Sequence, residues 1–221
     1  MIHVKICGIS TAEGLAAAAA AGADEVGFVF FPASPRHVAP AQARALAHAA
    51  PPGPGRVGLF VDPEDALLEA VLAEVPLDVV QLHGEESPGR VAAVRARFGL
   101  PVMKAIGIAS RADLAAIAPQ AAVADRLLLD AKAPPGAVLP GGNAAPFDWG
   151  LLRGVDVGRP WLLAGGLTPD NVAQALAVSG ASGVDVSSGV ERARGLKDPA
   201  LIARFVAAAK GWEKPAPSLS T

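Results

Sequence analysis

What most constrains this chain is a phrase it repeats: a short apolar run of strand character, a loop, then a helix with its own start signal. Residues 2–7 state it first. They alternate, with His3, Lys5 and Cys7 on one face and Ile2, Val4 and Ile6 on the other. Ser10-Thr11-Ala12-Glu13 reads as a capping box with Ser10 as N-cap; an alanine-rich helix follows, and Gly22 stops it. Further strands are expected over 25–30, 56–61, 78–82, 100–106, 126–130, 161–164 and 182–186. Helix starts fall at Pro40, Asp62-Pro63, Ser87-Pro88, Ser110, near Asp148, at Thr168-Pro169-Asp170 and at Asp198-Pro199, with Gly99 and Gly180 as stops. Eight strands alternating with eight helices call for parallel pairing through helical crossovers. In a chain of 221 residues the expected fold is α/β, a single-domain closed (β/α)₈ TIM barrel over 1–211, with a Pro/Ser-rich disordered tail over 212–221. An open sheet of six or seven strands is the alternative; it requires a weak strand such as 78–82 to be absent.

Composition narrows the function. An apolar fraction of 52% and a mean hydropathy of +0.38 supply a large core. A net charge of −2 points to neither nucleic acid nor an anionic membrane surface as a partner. Cys7 is the single cysteine, so no internal disulfide forms, which suits a reducing compartment and a cytoplasmic protein. The alanine run at 16–21 is too short for a membrane span. It follows a complete strand without a basic leader, so no signal peptide is expected.

If the barrel forms, its chemistry sits at the C-terminal ends of the strands. The candidates there include Cys7, Arg36, Asp62, Gln81, His83, Asp130, Gly165-Gly166 and Asp185-Val186-Ser187-Ser188-Gly189. Cys7 is either a small buried hydrophobe or a base or nucleophile. Asp130 closes the apolar run Leu127-Leu128-Leu129; it could be a general acid, an N-cap or a partner of Lys132. Arg36 is either a solvated surface charge or a bidentate holder of a carboxylate or phosphate. Gln81 and His83 share a strand face and either orient a ligand or fill the upper barrel layer. Gly165, Gly166, Ser187, Ser188 and Gly189 follow strands seven and eight, where barrels often seat a phosphate, with a short helix after the serines as a further anion site. The histidines show no metal-ligand spacing and one cysteine builds no thiolate site, so no metal is expected. No dinucleotide fingerprint or Walker loop is present.

These residues stand in motifs that together resemble the phosphoribosylanthranilate isomerase family: Lys5-Ile6-Cys7-Gly8, Gly27-Phe28-Val29-Phe30, Ser34-Pro35-Arg36, Val57-Gly58-Leu59-Phe60-Val61, Gln81-Leu82-His83-Gly84, Phe147-Asp148-Trp149, Gly165-Gly166-Leu167 and Asp185-Val186-Ser187-Ser188-Gly189-Val190-Glu191. The likeness runs from Val4 to Lys210. It implies a (β/α)₈ fold, no cofactor, and the Amadori rearrangement of N-(5-phosphoribosyl)anthranilate in tryptophan biosynthesis. It implies Cys7 as general base and Asp130 as general acid. It implies Arg36 as holder of the anthranilate carboxylate, and the last two loops, with Asp185, as the seat of the substrate phosphate. Under this likeness the partner is a small phosphorylated substrate, and monomer and homodimer stay open. One departure stands out: Gly141-Gly142-Asn143-Ala144 has alanine where the family loop commonly has glycine. A related phosphosugar aminoaldose isomerase and a non-catalytic phosphate-binding barrel are the alternative readings.

Overall fold

A computed structural model describes residues 1–49, 51–132 and 147–213. Eight strands close into a parallel barrel in chain order: β1 (His3–Cys7), β2 (Glu25–Val29), β3 (Gly55–Phe60), β4 (Val79–Leu82), β5 (Val102–Ile108), β6 (Arg126–Ala131), β7 (Trp161–Leu163) and β8 (Gly183–Val186). The seam is β1 on β8, with Lys5 opposite Asp185. The weak strand 78–82 is present as β4 and pairs with both β3 and β5, so the open-sheet alternative is excluded.

Around the barrel run α1 (Ala12–Ala21), α2 (Pro40–Ala49), α3 (Asp65–Glu74), α4 (Pro88–Phe98), α5 (Ile117–Ala121), α6 (Val172–Ser179) and α7 (Pro199–Lys210). The eighth expected helix is only a 3₁₀ turn, Trp149–Leu152, among the described residues of the crossover after β6; Asp148 Oδ1 caps it by accepting from Gly150 N at 2.8 Å. The loop at 141–144 lies outside the described residues, as does the tail from 214 onward. Trp212 still packs, partly buried, against the core. No described helix is long and apolar enough to cross a membrane.

Three start signals act differently from their sequence reading. Thr11, not Ser10, caps α1 and accepts from Gly14 N at 3.1 Å, because the Ser10 hydroxyl is committed to Gly195 O at 3.3 Å. Asp62 does not cap α3, which starts three residues later after Glu64. It sits instead at φ +44°, the left-handed region that Asp tolerates better than most residues. There its Oδ1 accepts from Glu85 N at 2.8 Å and ties the loop after β3 to the loop after β4. At α6 the polar work is done by Asn171, which accepts from Thr168 N at 2.7 Å and donates to Gly166 O at 2.9 Å.

Strand alternation sorts the apolar residues into two cores. Outward side chains such as Val4, Phe28, Phe60, Leu82, Leu127 and Val184 pack against Leu15, Leu68, Val91, Leu176 and Phe205 of the helices. Inward side chains fill the barrel: Val57, Val79, Met103, Ala105, Leu128, Leu162 and Ala164. Below that plug, Arg126 of β6 reaches across the barrel to Glu25 of β2, with Nη2 2.6 Å from Oε1. His3 Nε2 lies 3.2 Å from Glu25 Oε2, close enough for attraction but not aligned as a hydrogen bond. Burial alone would push the Glu25 carboxyl up; the His3 ring and the Arg126 guanidinium outweigh it and hold its pKa at about 2.

A carboxyl depressed on folding adds stability above its unfolded pKa, and that stability is lost as pH falls through the folded value. Glu25→Gln should therefore cost about 2–3 kcal/mol near neutral pH. The gap from the parent protein should shrink as pH drops from 4.5 toward about 2. Urea unfolding at pH 7 and pH 3 checks this; a gap of the same size at both would contradict it.

Candidate active site

Alternation also decides which polar groups reach the mouth. On their strands Lys5 and Cys7, Gln81, Asp130 and Asp185 all take the inward set of positions. Cys7 ends β1, is 5% exposed, and packs on Val29 and Leu59 with Phe31 and Val61 beside it. One position pair deeper, Lys5 is fully buried and its Nζ donates to Asp185 Oδ1 at 2.8 Å. A methyl group on Gly27 would lie 3.1 Å from the Cys7 sulfur and 3.2 Å from the Lys5 Nζ, so thiol and ammonium flank the same point. Burial pushes the Cys7 thiol up; Lys5 and Lys197 pull against that without overcoming it. Burial would likewise push the Lys5 ammonium down, but Asp185 and the neighbouring sulfur outweigh it and keep the group charged.

Asp130 lies near the end of β6. Its Oδ1 accepts from Ala131 N at 2.7 Å, and its Oδ2 is 3.2 Å from His83 Nε2. His83 Nδ1 is in turn 2.9 Å from the Gln81 amide. The line Gln81–His83–Asp130 thus links the ends of β4 and β6. Lys132 is not the partner of Asp130; it goes to Asp113 at 2.6 Å. Among the described residues Asp130 caps no helix.

Arg36 is not a solvated surface charge. It is 5% exposed, and its Nε and Nη2 meet Glu191 Oε1 and Oε2 at 2.7 and 3.1 Å. A guanidinium carries five N–H donors, and among the described residues the Nη1 edge has no hydrogen-bond partner. Glu191 belongs to a hairpin, β9 (Glu191–Ala193) with β10 (Leu196–Lys197), that the sequence reading did not foresee. Burial pushes the Glu191 carboxyl up, but Arg36 and Lys197 outweigh it and hold it below the ordinary range. Lys197, also buried, donates to Glu191 Oε1 at 2.8 Å and to Ser187 O at 2.9 Å. Glu191 and Lys197 are therefore parts of the site that strand-and-helix patterning missed. The usable signal was that Glu191 ends the last motif of the family likeness.

The loops after β7 and β8 touch each other. Gly165 holds φ +87°, and a Cβ there would sit 2.6 Å from Ala131 N and 3.0 Å from Asp130 Oδ1. A Cβ on Gly189 would lie 1.8 Å from Leu167 O, a spacing no side chain permits. The helix expected after the serines is a three-residue 3₁₀ turn, Ser188–Val190, too short to act as a helix terminus. Ser187 turns its hydroxyl to Cys7 O at 3.2 Å and so braces β8 on β1. The Asp185 carboxylate sits below the mouth on Lys5. Among the described residues no group of three or more His, Cys, Asp or Glu side chains could hold a metal ion. What the mouth offers is a thiol beside a fixed positive charge, a carboxyl on a histidine relay, a clamped arginine, and two glycine-bearing loops.

Residues 4–208 match the family model described as N-(5'phosphoribosyl)anthranilate (PRA) isomerase. The N-(5'-phosphoribosyl)anthranilate isomerase of Paracoccus denitrificans is 62% identical over 208 residues, covering 94% of this chain and 97% of that protein. That of Cereibacter sphaeroides is 58% identical, covering 95% and 99%. The crystal structure of the phosphoribosyl anthranilate isomerase from Thermotoga maritima superposes with a TM-score of 0.86 at 40% identity, over 96% of this chain and all of that one. A phosphoribosyl anthranilate isomerase in complex with reduced 1-(o-carboxyphenylamino)-1-deoxyribulose 5-phosphate superposes with a TM-score of 0.84 at 38% identity, over 96% and 100%.

The raised Cys7 thiol predicts how the lone cysteine reacts. Iodoacetamide alkylates only the thiolate. Alkylation of the native protein should be slow at neutral pH and keep accelerating above pH 9, the ordinary thiol value. Mass spectrometry of timed samples reads this directly, and a rate that levels off below pH 8 would contradict it.

Proposed function

The chain belongs to the N-(5'-phosphoribosyl)anthranilate isomerase family, and from that premise we propose how its mouth performs the reaction. The reaction is the Amadori rearrangement of N-(5-phosphoribosyl)anthranilate to 1-(2-carboxyphenylamino)-1-deoxyribulose 5-phosphate, a step of tryptophan biosynthesis. It is an aldose–ketose isomerisation and needs one acid and one base on opposite sides of a sugar.

In this proposal Asp130, protonated, gives its proton to the ribose ring oxygen. The C1–O bond breaks as the anthranilate nitrogen supplies its electron pair, leaving an open-chain Schiff base. The Cys7 thiolate then takes the proton from C2, and the electrons of that bond move to C1–C2 and quench the iminium as an enolamine. Tautomerisation of the enolamine gives the amino-ketose, with no net gain or loss of protons. The Nη1 edge of Arg36 holds the anthranilate carboxylate while Glu191 keeps the guanidinium from turning. Backbone N–H groups of Gly165, Gly166, Ser188 and Gly189 receive the phosphate, with Ser187 and Asp185 bracing that end. Two anchored ends fix the reacting carbons between sulfur and carboxyl, so that binding serves orientation. His83 orients Asp130.

The single observation that carries this reading is the pairing of two unlike groups at one mouth: a thiol set beside the buried Lys5 ammonium and a carboxyl held by His83. Lys5 matters because a thiol pushed up by burial makes a base only if its anion has a partner. We propose further that the barrel of 1–211 works as one catalytic unit in the cytoplasm, where a lone reduced thiol persists.

Turnover, followed as the loss of substrate fluorescence, tests the assignment. Cys7→Ser and Asp130→Asn should each lower kcat by about 10²–10⁴-fold while the fold is retained. In the parent protein kcat should rise with pH as Cys7 ionises. A Cys7→Ser variant of unchanged rate and pH profile would remove Cys7 from the mechanism.

A further inference from the structure

Resting geometry poses a problem for any acid role of Asp130, and its solution lies in a residue the mechanism has not used. With the Gln81 Nε2 facing His83 Nδ1, as the structure has it at 2.9 Å, Nδ1 is the acceptor. The proton of a neutral ring then sits on Nε2, which donates to Asp130 Oδ2. Oδ1 already accepts from Ala131 N. Both oxygens are acceptors, an arrangement that favours the Asp130 carboxylate over the acid form with its proton.

Turning the amide over changes that. The Gln81 carbonyl then faces Nδ1 and accepts its proton, Nε2 is bare, and it receives a hydrogen bond from a protonated Oδ2. The two arrangements share their heavy-atom positions, because amide N and O are nearly isosteric. They differ by one proton, taken up from solvent. Gln81 is fully buried, and in the first arrangement its carbonyl oxygen has no partner among the described residues. Turned over, the carbonyl is paired and the vacancy passes to the amide N–H. Neither arrangement satisfies both atoms from these residues, so neither is locked.

We propose that Gln81 is a positioning residue whose amide selects the His83 tautomer and thereby decides whether Asp130 carries the proton of the acid step. The inference rests on the reading of Asp130 as the acid. Its surroundings favour a relay confined to these three groups. Lys104, Glu85, Glu86, Asp113 and Lys132 line a cavity of about 530 Å³ with His83 and Asp130. The two lysines are committed, Lys104 to Glu86 at 2.7 Å and Lys132 to Asp113 at 2.6 Å. Inside the barrel Lys5 and Asp185 neutralise each other.

The pH dependence of kcat/KM in two variants, with ¹⁵N spectra of His83, tests the proposal. The carboxylate of Gln81→Glu can only accept, so it holds the Nδ1–H tautomer. The limb where activity falls as the acid loses its proton should move up by about one pH unit. Gln81→Met removes the acceptor that an Nδ1–H needs and so leaves the ring proton on Nε2 against Asp130; that limb should move down and kcat should drop about tenfold with KM little changed. In the parent protein His83 Nδ1, assigned with His83→Asn, should pass from protonated to bare over the same limb. The proposal is overturned if both variants keep the parental limb, or if both shift it the same way. A single His83 tautomer across the whole active range overturns it even where a variant does not fold. Asp130→Asn separates the levels: retained turnover strikes the acid assignment itself, whereas an inactive Asp130→Asn with unmoved Gln81 limbs strikes only the relay.

Discussion

The ion pair between Lys5 and Asp185, buried at the seam where the first strand meets the last, is the interaction on which the mouth depends. Removing both charges from water costs several kcal/mol, and pairing alone recovers that only with good geometry. A barrel that needed nothing but closure could place two aliphatic side chains there. What the ionic pair supplies is a permanent positive charge beside the only thiol in the chain. The same seam is braced from above, where Ser187 donates to Cys7 O and Lys197 donates to Ser187 O. Closure of the sheet and the setting of the thiol are thus one arrangement.

Opposing charges recur around the mouth in the same form, each cation held by an acid from a different strand or loop. Arg36, from the loop after β2, is gripped by Glu191 of the β9–β10 hairpin. Lys104 of β5 is held by Glu86 from the loop after β4. Each of these pairs is buried and closed by a short contact. The consequence is rigidity. A guanidinium fixed at two of its nitrogens offers a ligand one edge in one direction, which suits a planar carboxylate.

Period was legible in the sequence; partnership was not. Short apolar runs located all eight strands to within a residue or two, because the barrel buries both faces of each strand and admits few polar residues. Gly22, Gly99 and Gly180 stopped their helices as read, each in the left-handed conformation. The start signals failed where a capping residue had a stronger tertiary partner: Ser10 is held by Gly195 O, and Asp62 by the backbone of Glu85. Lys5 could be assigned to the face of Cys7, but nothing local says that Asp185, 180 positions away, would neutralise it. The hairpin carrying Glu191 and Lys197 was hidden because its strands are three and two residues long, below any readable period. The relay through Gln81 and His83 needed the distance between β4 and β6, which only the closed ring provides.

Sulfur and carboxyl belong to strands far apart in the ring, and the central claim is that one sugar lies between them. A crystal structure of this protein with the reduced product analogue bound would decide it. The predicted result places C2 of the sugar about 3–3.5 Å from the Cys7 sulfur, with the oxygen released on ring opening within hydrogen-bond reach of Asp130 on the opposite side. A sugar seated with either group out of reach, or with both on the same side of it, would contradict the claim.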